Sequence, residues 1–102
     1  MLARDSMALN ENPRKIASDI AEGLMTFNSS NLRRFDAHDL KVIVENLNNT
    51  QRDVRQIIIP MDDPDYMEKT KDKNRKMGRI RNAITVIKNH CYKRGIKGVF
   101  GS

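Results

Sequence analysis

Two apolar seams advance in steps of three and four on either side of the segment PMDDPD. Leu40, Ile43, Leu47, Thr50, Val54 and Ile57 precede it; Tyr66, Thr70, Lys73, Met77, Ile80, Ile84, Ile87 and Cys91 follow it. That alternation is the period of a helix lying along another helix. A strand needs a period of two, and the run IIIP is too short and too well placed in the seam to count as one. The expected fold is all-α. A short connection makes two long helices antiparallel neighbours, so its centre is an αα-hairpin.

Local signals set the limits of these helices. Asp36 reads as an N-cap with Asp39 three residues on, and Phe35 and Leu40 occupy the positions of a hydrophobic staple. Pro60 displaces Ile59 from helical geometry and places the end near Ile58. In the next helix Asp63 is the expected cap and Pro64 the first helical residue. Asp62, Asp63, Asp65 and Glu68 lie where the helix dipole favours anions. It runs to about Arg94, with Gly95 at the C′ position and Ile96 folded back on Cys91. At 1.5 Å per residue the two helices span roughly 35 and 43 Å.

A shorter helix precedes the hairpin. Asn12-Pro13 is an N-cap followed by proline at the first helical position, and Ile16, Ile20, Leu24 and Phe27 form one face beside Ala17 and Ala21. This predicts a helix over 13–27, ended by NSSN. The expected organisation is a flexible arm over 1–12, one helical domain over 13–98 and a tail over 99–102. A chain of 102 residues with five aromatics and no Trp buries a modest core. Two long seams exceed what one short helix covers, so the bundle is expected to be completed as a homodimer.

Charge divides the chain. Residues 1–68 hold eight basic and twelve acidic side chains, whereas residues 69–102 hold eleven basic side chains and one acid, Asp72. A positive field localised in this way implies an anionic partner. On a helical wheel Lys71, Arg75, Arg79, Asn82, Asn89 and Lys93 fall opposite the Met77–Ile87 seam, with Lys71, Arg75 and Arg79 in one outward ridge. Like charges at that spacing cost a few tenths of a kcal/mol each. Gly78 costs about 1 kcal/mol relative to alanine. A polyanion neutralising the ridge offsets both, with counterion release driving association.

The expected function is therefore nucleic-acid binding, by contact with the phosphate backbone of a duplex, dsRNA or dsDNA. The residues expected to carry it are Lys69, Lys71, Arg75, Lys76, Arg79, Arg81, Asn82, Lys88, Lys93, Arg94 and Lys97. Tyr66 and Tyr92 flank the basic helix and no aromatic interleaves it, so single strands lack a stacking platform. The alternative is an interaction adaptor or inhibitor, of phage or viral accessory type, that grips an acidic protein. The plainest reading is solvated surface.

No phosphate-binding Gly-rich loop, HExxH or nucleophile elbow is present, and the chain is not expected to be an enzyme or to carry a cofactor or metal. The acids of DDPD are explained by helix capping. His38 reads as an exposed helix-start residue. His90 and Cys91 are neighbours that point in different directions on a helix, and Cys91 packs as a small hydrophobe. A single cysteine suits a reducing, cytoplasmic setting or the interior of a host cell. No apolar run approaches the ~18 residues of a membrane span, and MLARDSMALNENP lacks the apolar core of a secretory leader.

Overall fold

Asn12 turns the chain into its first helix by accepting the backbone N–H of Arg14 at 2.9 Å, with Pro13 at the first helical position. The computed structural model describes residues 12–100. It contains helices α1 (Pro13–Glu22), α2 (Ser29–Leu32), α3 (Ala37–Arg55) and α4 (Tyr66–Arg94), and no strand among the described residues. The expected arm lies, apart from Asn12, outside the described residues, as do Gly101 and Ser102.

α1 stops at Glu22, five residues before the expected limit. Gly23 adopts φ 79°, its N–H meets the Ile20 carbonyl at 3.1 Å, and the Leu24 N–H reaches the Asp19 carbonyl at 2.8 Å. This closure satisfies carbonyls that the helix end leaves open, in a backbone region that glycine enters without a Cβ penalty. Leu24 is 77% exposed, while Phe27 reaches the core from the loop. NSSN opens an element where the sequence suggested only an ending. Asn28 accepts from the Asn31 N–H at 3.0 Å and Asn31 accepts from the Asn28 N–H at 2.9 Å, a reciprocal cap on α2.

The start of α3 matches its sequence signal. Asp36 accepts from the Asp39 N–H at 2.9 Å, Asp39 accepts from the Asp36 N–H at 3.2 Å, and Phe35 and Leu40 are both buried. Burial pushes the Asp39 carboxyl above the usual carboxylate range. The end differs: α3 stops at Arg55, three residues short of Ile58. Beyond Val54 the facing seam of α4 offers Thr70 and Lys73 instead of apolar side chains, so Ile57 and Ile58 find no core to join. Lys73 Nζ donates to the Ile57 carbonyl at 2.8 Å instead.

α4 begins at Tyr66, not at Pro64. Asp63 caps the preceding turn, accepting the Asp65 N–H at 2.7 Å, and Asp65 at the N-cap makes no side-chain cap bond. At the other end Gly95 has φ 66° and the Ile96 N–H meets the Cys91 carbonyl at 2.9 Å, as the sequence indicated.

α1 packs against both α3 and α4, and α3 against α4. Ile16, Ala17 and Ile20 of α1, Leu40, Ile43 and Leu47 of α3, and Ile80, Ala83 and Ile87 of α4 belong to one buried cluster. The expectation of a dimer drew on seams too long for one short helix to cover. Within one copy Leu40, Leu47, Ile80 and Ile87 are already inaccessible, whereas Ile57 is exposed and Met77 and Ile84 are half-buried. Val99 is buried and Phe100 packs on the same core, which carries the packed chain past Gly98. No helix among the described residues is long and apolar enough to cross a membrane. Leu47→Ala and Ile87→Ala should each cost about 2–5 kcal/mol in urea unfolding; near-neutral values at both would place these residues outside the core.

Candidate nucleic-acid interface

The buried face of α4 consists of Ile80, Ala83, Ile87, His90 and Cys91, with Met77 and Ile84 only half-buried. At 100° per residue this face is rotated by roughly 50° from the seam read in the sequence. Small Ala83 lies on this face, and His90 turns inward with it. The rotation redistributes the cations of α4 between structure and surface.

Arg79 does not stand in the outward ridge. It is half-buried, and its Nη1 donates to the Ala21 carbonyl at 2.9 Å, one of the carbonyls that the end of α1 leaves open. Its guanidinium lies 3.0 Å from where a Cβ on Gly23 would sit, so the glycine both closes α1 and makes room for the arginine. Beside it Lys76 pairs with Glu22 at 3.2 Å and with Asp72 at 3.5 Å. The Glu22 contact holds the Lys76 ammonium above its ordinary range. Lys69 bonds Asp63 at 2.7 Å, a contact that lowers the pKa of Asp63 and raises that of Lys69. Lys88 lies over the Phe100 ring, 5.7 Å from its centroid. Lys69, Lys76, Arg79 and Lys88 thus each hold a neighbour in place.

Lys71, Arg75, Arg81, Asn82, Lys93, Arg94 and Lys97 are exposed and have no hydrogen bond or ion pair among the described residues. From Lys73 to the end of the sequence there are nine Lys or Arg residues and no Asp or Glu. Gly78 lies almost opposite the buried face, and nothing stands within 4 Å of where its Cβ would be. Arg75 and Arg81 sit three residues to either side of it, Asn74 and Asn82 four, and all four are exposed. At those spacings they surround the bare backbone on one helix surface. Two guanidinium forks and two amides therefore ring a spot to which another molecule's backbone has open access.

Asn74 was missed in the sequence because it belonged to no ridge. Arg33, at the C-cap of α2, was missed because only tertiary packing brings it near the end of α4, where it and Arg94 both act on His90. His38 is exposed, whereas His90 and Cys91 are buried, and burial pushes the Cys91 thiol upward. Among the described residues no three His, Cys, Asp or Glu side chains are grouped to hold a metal ion.

Burial, with Arg94 and Arg33 nearby, lowers His90 below the ordinary imidazole value of 6.5. The folded protein therefore binds that proton more weakly than the unfolded chain. Its contribution to stability is present above pH 6.5 and is lost as the pH falls through the lower folded value. Thermal unfolding should show stability declining on acidification below 6.5, with this part of the decline absent in His90→Gln; equal declines in both proteins would remove His90 as the cause.

Compared with family models, curated proteins and solved structures, the chain has no match.

Proposed function

We propose that this chain binds a nucleic-acid duplex through the outward face of α4, contacting phosphates and not base edges. The observation that carries this reading is the ring of Arg75, Arg81, Asn74 and Asn82 around Gly78, on a helix face without a carboxylate partner. A glycine in a helix interior costs about 1 kcal/mol relative to alanine, and open space around it shows that internal packing does not require it here. Close approach of a ligand's backbone is the remaining use for a missing Cβ. Phosphate oxygens suit the guanidinium forks, which grip them by two parallel hydrogen bonds. Counterion release supplies the driving force. In this reading Lys71, Lys93, Arg94 and Lys97 extend the contact along a helix of about 43 Å, and the protein is a binder and not an enzyme.

α3 and α4 act here as an antiparallel hairpin, a geometry supported by their mutual packing and by the Lys73–Ile57 bond at their connection. Ile57, Ile58, Met61 and Met67 are exposed at and beside that connection. They favour a second reading, in which a protein partner covers an apolar tip. An acidic protein or a second copy of the chain, making the homodimer, would satisfy it. Either function belongs to a cytoplasmic or host-cell interior.

Reversing Lys71, Arg75 and Arg81 to Glu should abolish the gel shift of dsRNA or dsDNA and leave the helical circular dichroism intact. Arg79 is excluded from this set because it fastens α1. For the wild type the log–log salt slope should steepen by about 0.9 for each DNA phosphate neutralised. Failure of both duplexes to shift at low salt would overturn the proposal and leave the protein-partner reading in its place. Gly78→Ala should stabilise the fold by up to about 1 kcal/mol while weakening the duplex complex; a stabilised variant that binds unchanged would show that nothing approaches Gly78.

A further inference from the structure

Where α2 and the residues leading into it lie against the end of α4, they border an open cleft of about 330 Å³, within the range of ~300–1,000 Å³ typical of small-ligand sites. Its floor is apolar, made by Phe27, Leu32 and Val86. Its walls carry the hydroxyl of Ser29, the amide of Asn89, the ammonium of Lys93 and the imidazole of His90.

His90 is the unusual member. It is only 7% exposed and has no hydrogen-bond partner among the described residues. Yet no buried side-chain nitrogen or oxygen among those residues is both sealed from solvent and unpartnered. The His90 ring nitrogens must therefore open onto the cleft that the residue lines. Their hydrogen-bonding capacity is therefore left to solvent or to a ligand in the cleft. The charged groups around the ring are all cationic: Arg33 at the C-cap of α2, and Lys93 and Arg94 from α4. No carboxylate is among the residues that line the cleft or among the charges that act on His90.

We propose that this cleft binds a phosphomonoester, with the phosphate held between His90 and Lys93 and the organic part resting on Phe27, Leu32 and Val86. The lining offers donors from both elements: Ser29 from α2, and Asn89, His90 and Lys93 from α4. That number suits the three terminal oxygens of a phosphomonoester better than the two of a carboxylate. A dianion matches three cations around a histidine whose protonation burial disfavours. The apolar floor has no role for inorganic phosphate alone, which is why the ester is the occupant assigned. A free nucleotide and the 5′ end of a nucleic-acid strand both present this group. The site shares Lys93 and Arg94 with the far end of the surface proposed for the duplex, but it includes neither Gly78 nor the residues around it and its test uses no duplex in its first step, so its failure is distinguishable from failure of duplex binding.

The experiment is an NMR titration of the His90 imidazole in the full chain with inorganic phosphate and with a nucleoside 5′-monophosphate, using chloride at matched ionic strength as the control. Both phosphates should shift the His90 signals and raise its pKa, because a bound anion favours the imidazolium. The nucleotide should bind more tightly than phosphate. Lys93→Gln, at an exposed position that cannot disturb the core, should weaken binding about tenfold, which corresponds to roughly 1.4 kcal/mol. Unshifted His90 signals at millimolar ligand, or shifts that chloride reproduces, would overturn the site. Equal affinity for phosphate and nucleotide would overturn the ester. Preference for a 5′-phosphorylated over an unphosphorylated oligonucleotide assigns the phosphate to a strand end; nucleotide binding without that preference assigns it to a free metabolite.

Discussion

The attachment of α1 to the middle of α4 governs the rest of the molecule. Arg79 reaches across to the Ala21 carbonyl, Lys76 takes Glu22, and Gly23 turns the chain away beneath the guanidinium. Together these contacts set the rotation of α4 about its own axis. Ile80, Ala83 and Ile87 are then the side chains that enter the core, and Gly78 is directed away from it. A charge-assisted bond to a helix-end carbonyl is worth more than an ordinary one, because the carbonyl has no other partner in its own helix. Half-buried, it is also screened less by salt than a pair on open surface.

The cations of the C-terminal region thereby acquire two functions that composition alone cannot separate. Lys69, Lys73, Lys76 and Arg79 compensate carboxylates or carbonyls of the surrounding chain and hold α4 in position. Lys71, Arg75, Arg81, Lys93, Arg94 and Lys97 have no such compensation among the described residues. The surplus charge of the region is therefore an outward property of particular residues. It lies along one helix and around one end of the bundle, where Arg33 joins it.

Where a structure depends on neighbours a few residues apart, the sequence displayed it plainly. The Asp36–Asp39 cap, the Phe35–Leu40 staple and the Gly95–Ile96 closure involve separations of at most five residues and well-defined side-chain chemistry. Gly23 carried an equally local signal and was overridden by the apolar spacing of Leu24 and Phe27, which continues on a wheel although the helix does not. The rotation of α4 was not legible. It follows from the presence of α1, from the small size of Ala83 and from the burial of a histidine that a polarity pattern assigns to water. The same loss of information hid the meeting of Arg33 with His90, which lie 57 positions apart in the sequence. Asn74 and Gly78 became meaningful only once the outward face was fixed.

α4 is anchored unequally along its length. Its fully buried side chains begin at Ile80, and the fourteen residues before it are held chiefly by polar tethers to Asp63, the Ile57 carbonyl and Glu22. The helix is thus held by apolar burial in its second half and largely by polar contacts in its first. Amide hydrogens of the second half open with the global fold, whereas those of the first open through smaller local fluctuations. Added salt weakens the tethers without touching the apolar burial. The stiffness of the first half is consequently a property of the solution as much as of the sequence. An anion that docks on its outer face competes with the carboxylates that steady its inner one, coupling occupancy of the surface to the motion of the helix beneath it.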